Sequence, residues 1–252
     1  MSNPDQASAI TAGIREIYDR QAVAPHAHER AQVMFAERGA LAVTTGEGLW
    51  MLPPTRALFV PGGLAHGLAA RGRVDLATLY IAPDAPGLPD WTTCKVIDVN
   101  PLLREVILRL VDLPWTYCAD KPAGRLAKVL MDELVSLAGL PFHLPEPRDP
   151  RAVRFCRHMQ DHIDDRRRLT EIAAEHGTTA RTLERCFQRE IGMSTGAWVQ
   201  QLRLLNAVQM LTLGEPVGDV AFALGYANPS SFIVAFRLAF GTSPGQYIAK
   251  EG

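Results

Sequence analysis

The chain has 252 residues, 47% of them hydrophobic, and its 26 Lys and Arg nearly balance its 27 Asp and Glu. That apolar share excludes a disordered chain and supplies core for one large domain or two ordinary ones. No stretch is long and apolar enough to span a bilayer, and the opening MSNPDQASAI lacks a signal peptide's basic and apolar regions, so a cytoplasmic protein without membrane contact is expected.

Residues from about 20 to 82 are predicted as short strands. AQVMFAE, ALAVTT, GLWML, RALFVP and VDLATLYIA are rich in β-branched and aromatic residues and are separated by Gly and Pro. Even spacing of this kind predicts a small barrel or sandwich. Within it stand PHAHERAQVMFAERG and PGGLAH. His26 and His28, one residue apart, share a face if they lie on a strand, and Gln32 and Met34 follow at even spacing. With His66 they offer three imidazoles and one oxygen donor, a set that suits Zn, Fe, Ni or Cu. The other reading is a small-molecule pocket lined by the same four side chains, with Trp50, Arg56 and Tyr80 as further lining or gating candidates.

After the loop PDAPGLPD the period turns helical. Leu102, Leu103, Val106, Ile107 and Leu110 form one apolar face, which serves either a dimer or the chain's own barrel. A second helix follows Pro122, with Leu126, Val129, Leu130, Leu134 and Leu137 as its stripe. The Pro-rich LPFHLPEPRDP, 140–150, reads as an interdomain linker. Cys94, Cys118, Cys156 and Cys186 are scattered, with neither a CxxC pair nor metal-like spacing, and are expected to be reduced, packed thiols.

The remaining part is mildly basic: residues 148–252 hold 13 Lys and Arg against 11 Asp and Glu, whereas residues 1–147 hold 13 against 16. It contains an internal repeat. LTEIAAEHGTTARTLERCFQREIGMSTG matches VGDVAFALGYANPSSFIVAFRLAFGTSPG, with Ile172-Ala173 against Val220-Ala221, Leu183 against Phe232, Phe187 against Phe236 and Ser194 against Ser243. Each unit is a short helix, a Gly-containing turn and a capped second helix, the helix-turn-helix plan. Between them GAWVQQLRLLNAVQMLT reads as one helix, with Trp198, Leu202, Leu205 and Val208 buried, long enough to set two recognition helices about one DNA turn apart.

Leu183 and Phe187 define the core side of the first recognition helix, so Arg181, Glu184, Arg185 and Gln188 face the groove. Arg suits guanine, Gln adenine and Glu cytosine. In the second helix the equivalent positions are Ser230, Ile233, Val234 and Arg237. Apolar side chains there can meet thymine methyl groups.

Residues 151–249 resemble the DNA-binding domain of AraC/XylS-type transcriptional regulators, on LTEIAAEHGTTARTLERCFQREIGMS, LRLLNAVQML and VAFALGYANPSSFIVAFRLAFGTSPGQY. The resemblance implies two helix-turn-helix units on one DNA face. It is broken where Ile233 and Val234 replace a polar and a basic residue. The HxH and PxGxxH stretches resemble the two cupin motifs, with Gln32 in place of the carboxylate and Gly39 in its expected place. In metal-binding cupins the positions of His26, His28, Gln32 and His66 are ligands. The lead-in GEGLWMLPPTRALFVPGGLAHGL resembles the sensor barrels of the same regulators.

The expected fold is α+β: a cupin-like sensor barrel over 1–90, a helical dimerisation and linker region over 91–147, and an all-α bipartite DNA-binding domain over 148–252. The expected function is a sequence-specific regulator, activator or repressor, that binds promoter DNA under control of a small-molecule effector in the barrel. A homodimer and contact with RNA polymerase are expected, with no catalytic residues and no cofactor beyond a divalent transition metal in the barrel. The alternative is a metal-dependent cupin enzyme fused to a DNA-binding domain. A metalloenzyme needs a charged ligand or a general acid or base beside the site, and the sequence places none.

Overall fold

The computed structural model describes residues 3–54, 56–136 and 143–251. The chain forms two compact units, Met1–Gly46 with Trp50–His143 and Glu47–Leu49 with Leu144–Gly252. No helix among the described residues is long and apolar enough to cross a membrane.

The first unit begins with a 3-10 turn, Pro4–Gln6, capped by Asn3. Strands follow: β1 (Thr11–Asp19), β2 (Ala22–His26), β3 (Ala31–Arg38), β4 (Leu41–Thr45), β5 (Gly48–Leu52), β6 (Arg56–Val60), β7 (His66–Ala70), β8 (Arg73–Ile81) and β9 (Lys95–Asp98). One antiparallel sheet has the order β1-β8-β3-β6-β9, and the second carries β5-β4-β7-β2 in that order. Ala31, Val33 and Phe35 of β3, Phe59 of β6, and Leu79 and Ile81 of β8 form one face of the first sheet. That face packs under α1 (Pro101–Val111) and α2 (Pro122–Ser136). The alternate residues Gln32, Met34, Leu58, Val60, Thr78 and Tyr80 take the opposite face and are buried too. With both faces covered, β3 and β8 read as continuous apolar runs rather than alternating ones.

Three strands lie outside the range read as strands: β1, β9 and β10 (His143–Pro145), which falls in the stretch read as a linker and pairs with β5 at the edge of the second sheet. β1 is held from behind by the segment after α1: Trp115 Nε1 donates to Gly13 O at 3.0 Å, and Thr11 Oγ1 and Tyr117 OH are 2.7 Å apart. The approach is close enough that a Cβ on Gly13 would overlap the Val111 backbone, so only glycine fits there.

Asn100 caps α1, accepting from Leu103 N at 2.8 Å. Leu103, Val106, Ile107 and Leu110 are buried against the sheet and α2, whereas Leu102 is 54% exposed and off that face. The apolar stripe of α1 is therefore spent inside its own unit and is not a dimer surface. In α2, Leu130 and Leu134 are buried and Val129 is exposed. Leu137 and linker residues 140–142 lie outside the described residues.

The second unit is helical: α3 (Pro150–Asp161), α4 (Leu169–Glu175), α5 (Ala180–Ile191), α6 (Thr195–Thr212), α7 (Val217–Ala223), α8 (Pro229–Phe240) and α9 (Pro244–Glu251). Helix α6 is the spine, with Trp198, Leu202, Leu205 and Val208 buried as expected. Phe187 meets Phe155 at 5.6 Å and Trp198 at 5.9 Å on the first half; Phe236 meets Phe232 at 5.7 Å and Tyr247 at 5.5 Å on the second. The half-buried Arg203 of α6 donates to Ile163 O at 3.0 Å and Asp165 O at 2.8 Å, while Arg166 donates to Tyr226 O at 2.8 Å. These bonds tie the segment before α4 to the turn of the second helix pair, where Gly225 takes a φ of 79°. Cys94, Cys156 and Cys186 are packed, and Cys118 is exposed.

Asp165 organises the entry to α4. Its carboxylate accepts from Arg167 Nη2 at 2.7 Å, Arg167 N at 2.9 Å and His158 Nε2 at 2.9 Å. The Arg167 guanidinium, with help from His158, holds this carboxyl well below the usual carboxylate range. A depressed folded-state pKa stabilises the fold above the ordinary carboxylate pKa, about 4, and this contribution is lost as pH falls below it. Asp165→Asn is expected to cost about 1 kcal/mol, or roughly 4–8 °C in the melting of a unit this size. Thermal melting should show that deficit at pH 7 and show it shrinking once the pH drops below about 4.

Candidate functional site

Two sets of side chains carry chemistry, one in each unit. The first is the outer face of α5. Thr179 caps this helix by accepting from Thr182 N at 3.2 Å, and Gly192 ends it at a φ of 68°. Leu183, Cys186 and Phe187 are buried and fix its rotation. Arg181, Arg185 and Gln188 are left exposed, with no hydrogen-bond or ion-pair partner among the described residues. Arg151 pairs with Asp149, Arg167 with Asp165 and Glu175, and Arg189 with Glu190, whereas Arg148, Arg157 and Arg168 are exposed without side-chain partners among the described residues. Three unpaired donors on one fixed face form an acceptor-seeking surface suited to base edges and phosphates.

Glu184 behaves differently. It accepts from Thr195 N at 3.2 Å and from the Thr195 hydroxyl, so it caps α6 and locks α5 onto it. The helical pattern assigns it to the outer side, but its carboxylate is committed within the unit.

Helix α8 repeats the frame. Asn228 accepts from Ser231 N at 2.9 Å, Pro229 starts the helix, and Gly241 ends it at a φ of 73°. Phe232 and Phe236 are buried, and Phe240 is half-buried. Ser230 and Arg237 are exposed without partners among the described residues, and Ile233 and Val234 are exposed too.

The second set lies between the two sheets of the first unit. Ligand atoms of His26, His28 and His66 all lie within 4.8 Å of one another. His26 and His66 are opposite each other in the β2–β7 ladder, with ring centroids 4.6 Å apart. His28 lies in the loop beyond β2, so the loop, not strand parity, brings it in; its ring is 5.0 Å from that of Tyr80. Gln32 is buried on β3 directly opposite Tyr80 in register, on the same face. The Nδ1 of His66 bonds Leu64 O at 2.9 Å and that of His26 bonds Ala24 O at 3.0 Å, which leaves each Nε2 as the free lone pair. His66 is 1% exposed, and its Nε2 has no partner among the described residues. Burial lowers the pKa of both His66 and His28, so these rings are held neutral.

Sequence reasoning missed the acidic fringe of this cluster. Asp5, in the 3-10 turn, lies 3.7 Å from His28 Nδ1 and accepts from Arg30 N at 3.2 Å. On β1, Tyr18 donates to Glu16 at 2.8 Å. Of the other lining candidates, Tyr80 faces the cluster, Trp50 stacks on His143 at 3.9 Å, and Arg56 pairs with Asp98.

A family described as an AraC-like ligand binding domain matches residues 9–176, and one described as a helix-turn-helix domain matches residues 172–250. The HTH-type transcriptional regulator NimR of Escherichia coli strain K12 is 35% identical over 225 residues, 89% of this chain and 82% of that protein. The regulatory protein SoxS of Salmonella typhimurium is 31% identical over 90 residues, 35% of this chain and 84% of SoxS. Among solved structures, ToxT from Vibrio cholerae aligns over 94% of this chain and 97% of its own at 10% identity, with a TM-score of 0.41.

Proposed function

The chain belongs to the AraC family of transcriptional regulators, DNA-binding proteins with an N-terminal ligand-binding domain, and on that premise we propose which of its residues do the work. Residues 148–252 bind promoter DNA through Arg181, Arg185 and Gln188 of α5 and Ser230, Ile233, Val234 and Arg237 of α8, with Glu184 holding α5 in place. The observation that carries this reading is the set of unpaired donors, Arg181, Arg185 and Gln188, gathered on one exposed face of a helix whose opposite face is fixed in the core. Residues 1–90 sense the effector, and residues 91–147 connect the two functions. The protein acts in the cytoplasm, without catalysis, as a homodimer that contacts RNA polymerase. Selection of duplexes from genomic fragments by the purified full chain tests the DNA reading. It should enrich promoter DNA, including that beside its own gene; recovery of random fragments would oppose it.

We also propose that His26, His28 and His66, with Gln32 as fourth donor, hold a transition metal. The orphaned, buried Nε2 of His66 and the carbonyl-tethered Nδ1 atoms of His66 and His26 fit such an ion. When bound, the metal would supply a Lewis-acidic coordination point for an effector carrying an oxygen or nitrogen donor. Gln32 brings no charge, so the affinity is lower than a carboxylate would give. Protein purified without chelator should contain about one transition-metal ion per chain by elemental analysis, and His66→Ala should lose it. A metal-free wild-type protein that still responds to an effector would leave the pocket and remove the metal.

A further inference from the structure

We infer that α8 reads thymine methyl groups, so that the two halves of the DNA-binding unit divide their work unequally; this rests on the reading that α5 and α8 both face DNA. The two helices occupy equivalent places in the repeat and share their frame of cap, buried pair and terminal glycine. Their outward chemistry differs. Helix α5 carries Arg181, Glu184, Arg185, Arg189 and Glu190, whereas α8 carries a single charge, Arg237. Where α5 has Glu184, Arg185 and Arg189, α8 has Ile233, Val234 and Leu238, which are 36%, 59% and 81% exposed. Single exposed apolar residues are ordinary, but three within two turns of one helix, at positions that mirror polar ones, form a patch.

These side chains cannot turn inward, because Phe232 and Phe236 are fully buried and fix the helix rotation. Ile233 and Val234 are also β-branched and stiff at χ1, so they hold their methyl groups in fixed places at little entropic cost on binding. In the major groove the thymine C5-methyl is the apolar feature, and apolar side chains contact it. The place of α8 in the repeat, equivalent to that of α5 and with the same cap, buried pair and terminal glycine, makes DNA the occupant of this patch. Arg237 is the one charge on α8, so α8 adds less than α5 to the salt dependence of binding.

The test uses a 40-bp duplex selected from a randomised pool by the full chain, with thymines in each half-site replaced in turn by deoxyuridine, which lacks the methyl. One half-site should lose roughly fourfold in affinity per contacted thymine, the value of one buried methyl group. That sensitivity should vanish in Val234→Ser. Val234→Arg should steepen the slope of log affinity against log salt by about 0.9, one phosphate contact. If deoxyuridine has no effect while Arg185→Ala still weakens binding, the inference is overturned, the DNA reading stands, and a protein covers Ile233, Val234 and Leu238. If neither change alters affinity, the DNA reading falls with it.

Discussion

Replacing Arg181 and Arg185 together by alanine will abolish specific operator binding while leaving the fold intact. Both side chains are exposed and unpaired, so their removal costs the unit no internal contact. A base-reading arginine contributes about 1–3 kcal/mol, so the pair is worth roughly 2–6 kcal/mol, which is about thirtyfold in affinity at the low end. Lysine at either position should rescue charge but not bidentate geometry, and so restore non-specific binding more than specific binding. Arg189→Ala is the internal control. That side chain is already paired with Glu190 near the helix end, and its loss should change affinity about twofold at most. Titration on the selected duplex at one fixed salt concentration reads all of these.

Charge introduced at Leu103 and Val106 will unfold the first unit rather than split a dimer. Leu103 is 0% and Val106 3% exposed, both inside the cluster formed with Val33, Phe35, Phe59 and Leu130. Removing such side chains costs about 2–5 kcal/mol each, and an unpaired buried carboxylate adds more, against a typical domain stability of about 5–15 kcal/mol. Leu103→Glu with Val106→Glu should therefore abolish the cooperative transition of that unit in calorimetry. Leu102→Glu changes a 54% exposed neighbour and should leave the transition and the sedimentation behaviour as they are. Folded monomers from the double variant would restore α1 as an interface.

The sequence showed α8 and α5 clearly because each signal was local: a capping residue, a proline or threonine at the start, two aromatic or aliphatic anchors one turn apart, and a glycine at the end. It hid β1 because that strand lies at the edge of its sheet, where Arg15 and Glu37 pair on an exposed side and Gly13 interrupts the pattern. β9 is four residues long and follows a Pro-rich loop, too short for a period to show. At the sites, spacing placed His26, His28 and His66 near one another, since two motifs carry them. Asp5 was out of reach because its contacts with His28 and Arg30 span more than twenty residues. Glu184 shows the same limit from the other side. A helical wheel gives the direction of its side chain but not the fact that Thr195, eleven residues on, lies there to receive it.

Hydroxyl-radical footprinting of the full chain on its selected duplex tests the central claim most directly. Helix α6, 18 residues long, spans about 27 Å and separates the two recognition helices. Two protected patches are expected on one face of the duplex, centred about 10 base pairs apart in successive major grooves. A single patch of one half-site, or protection without a fixed register, would contradict the account.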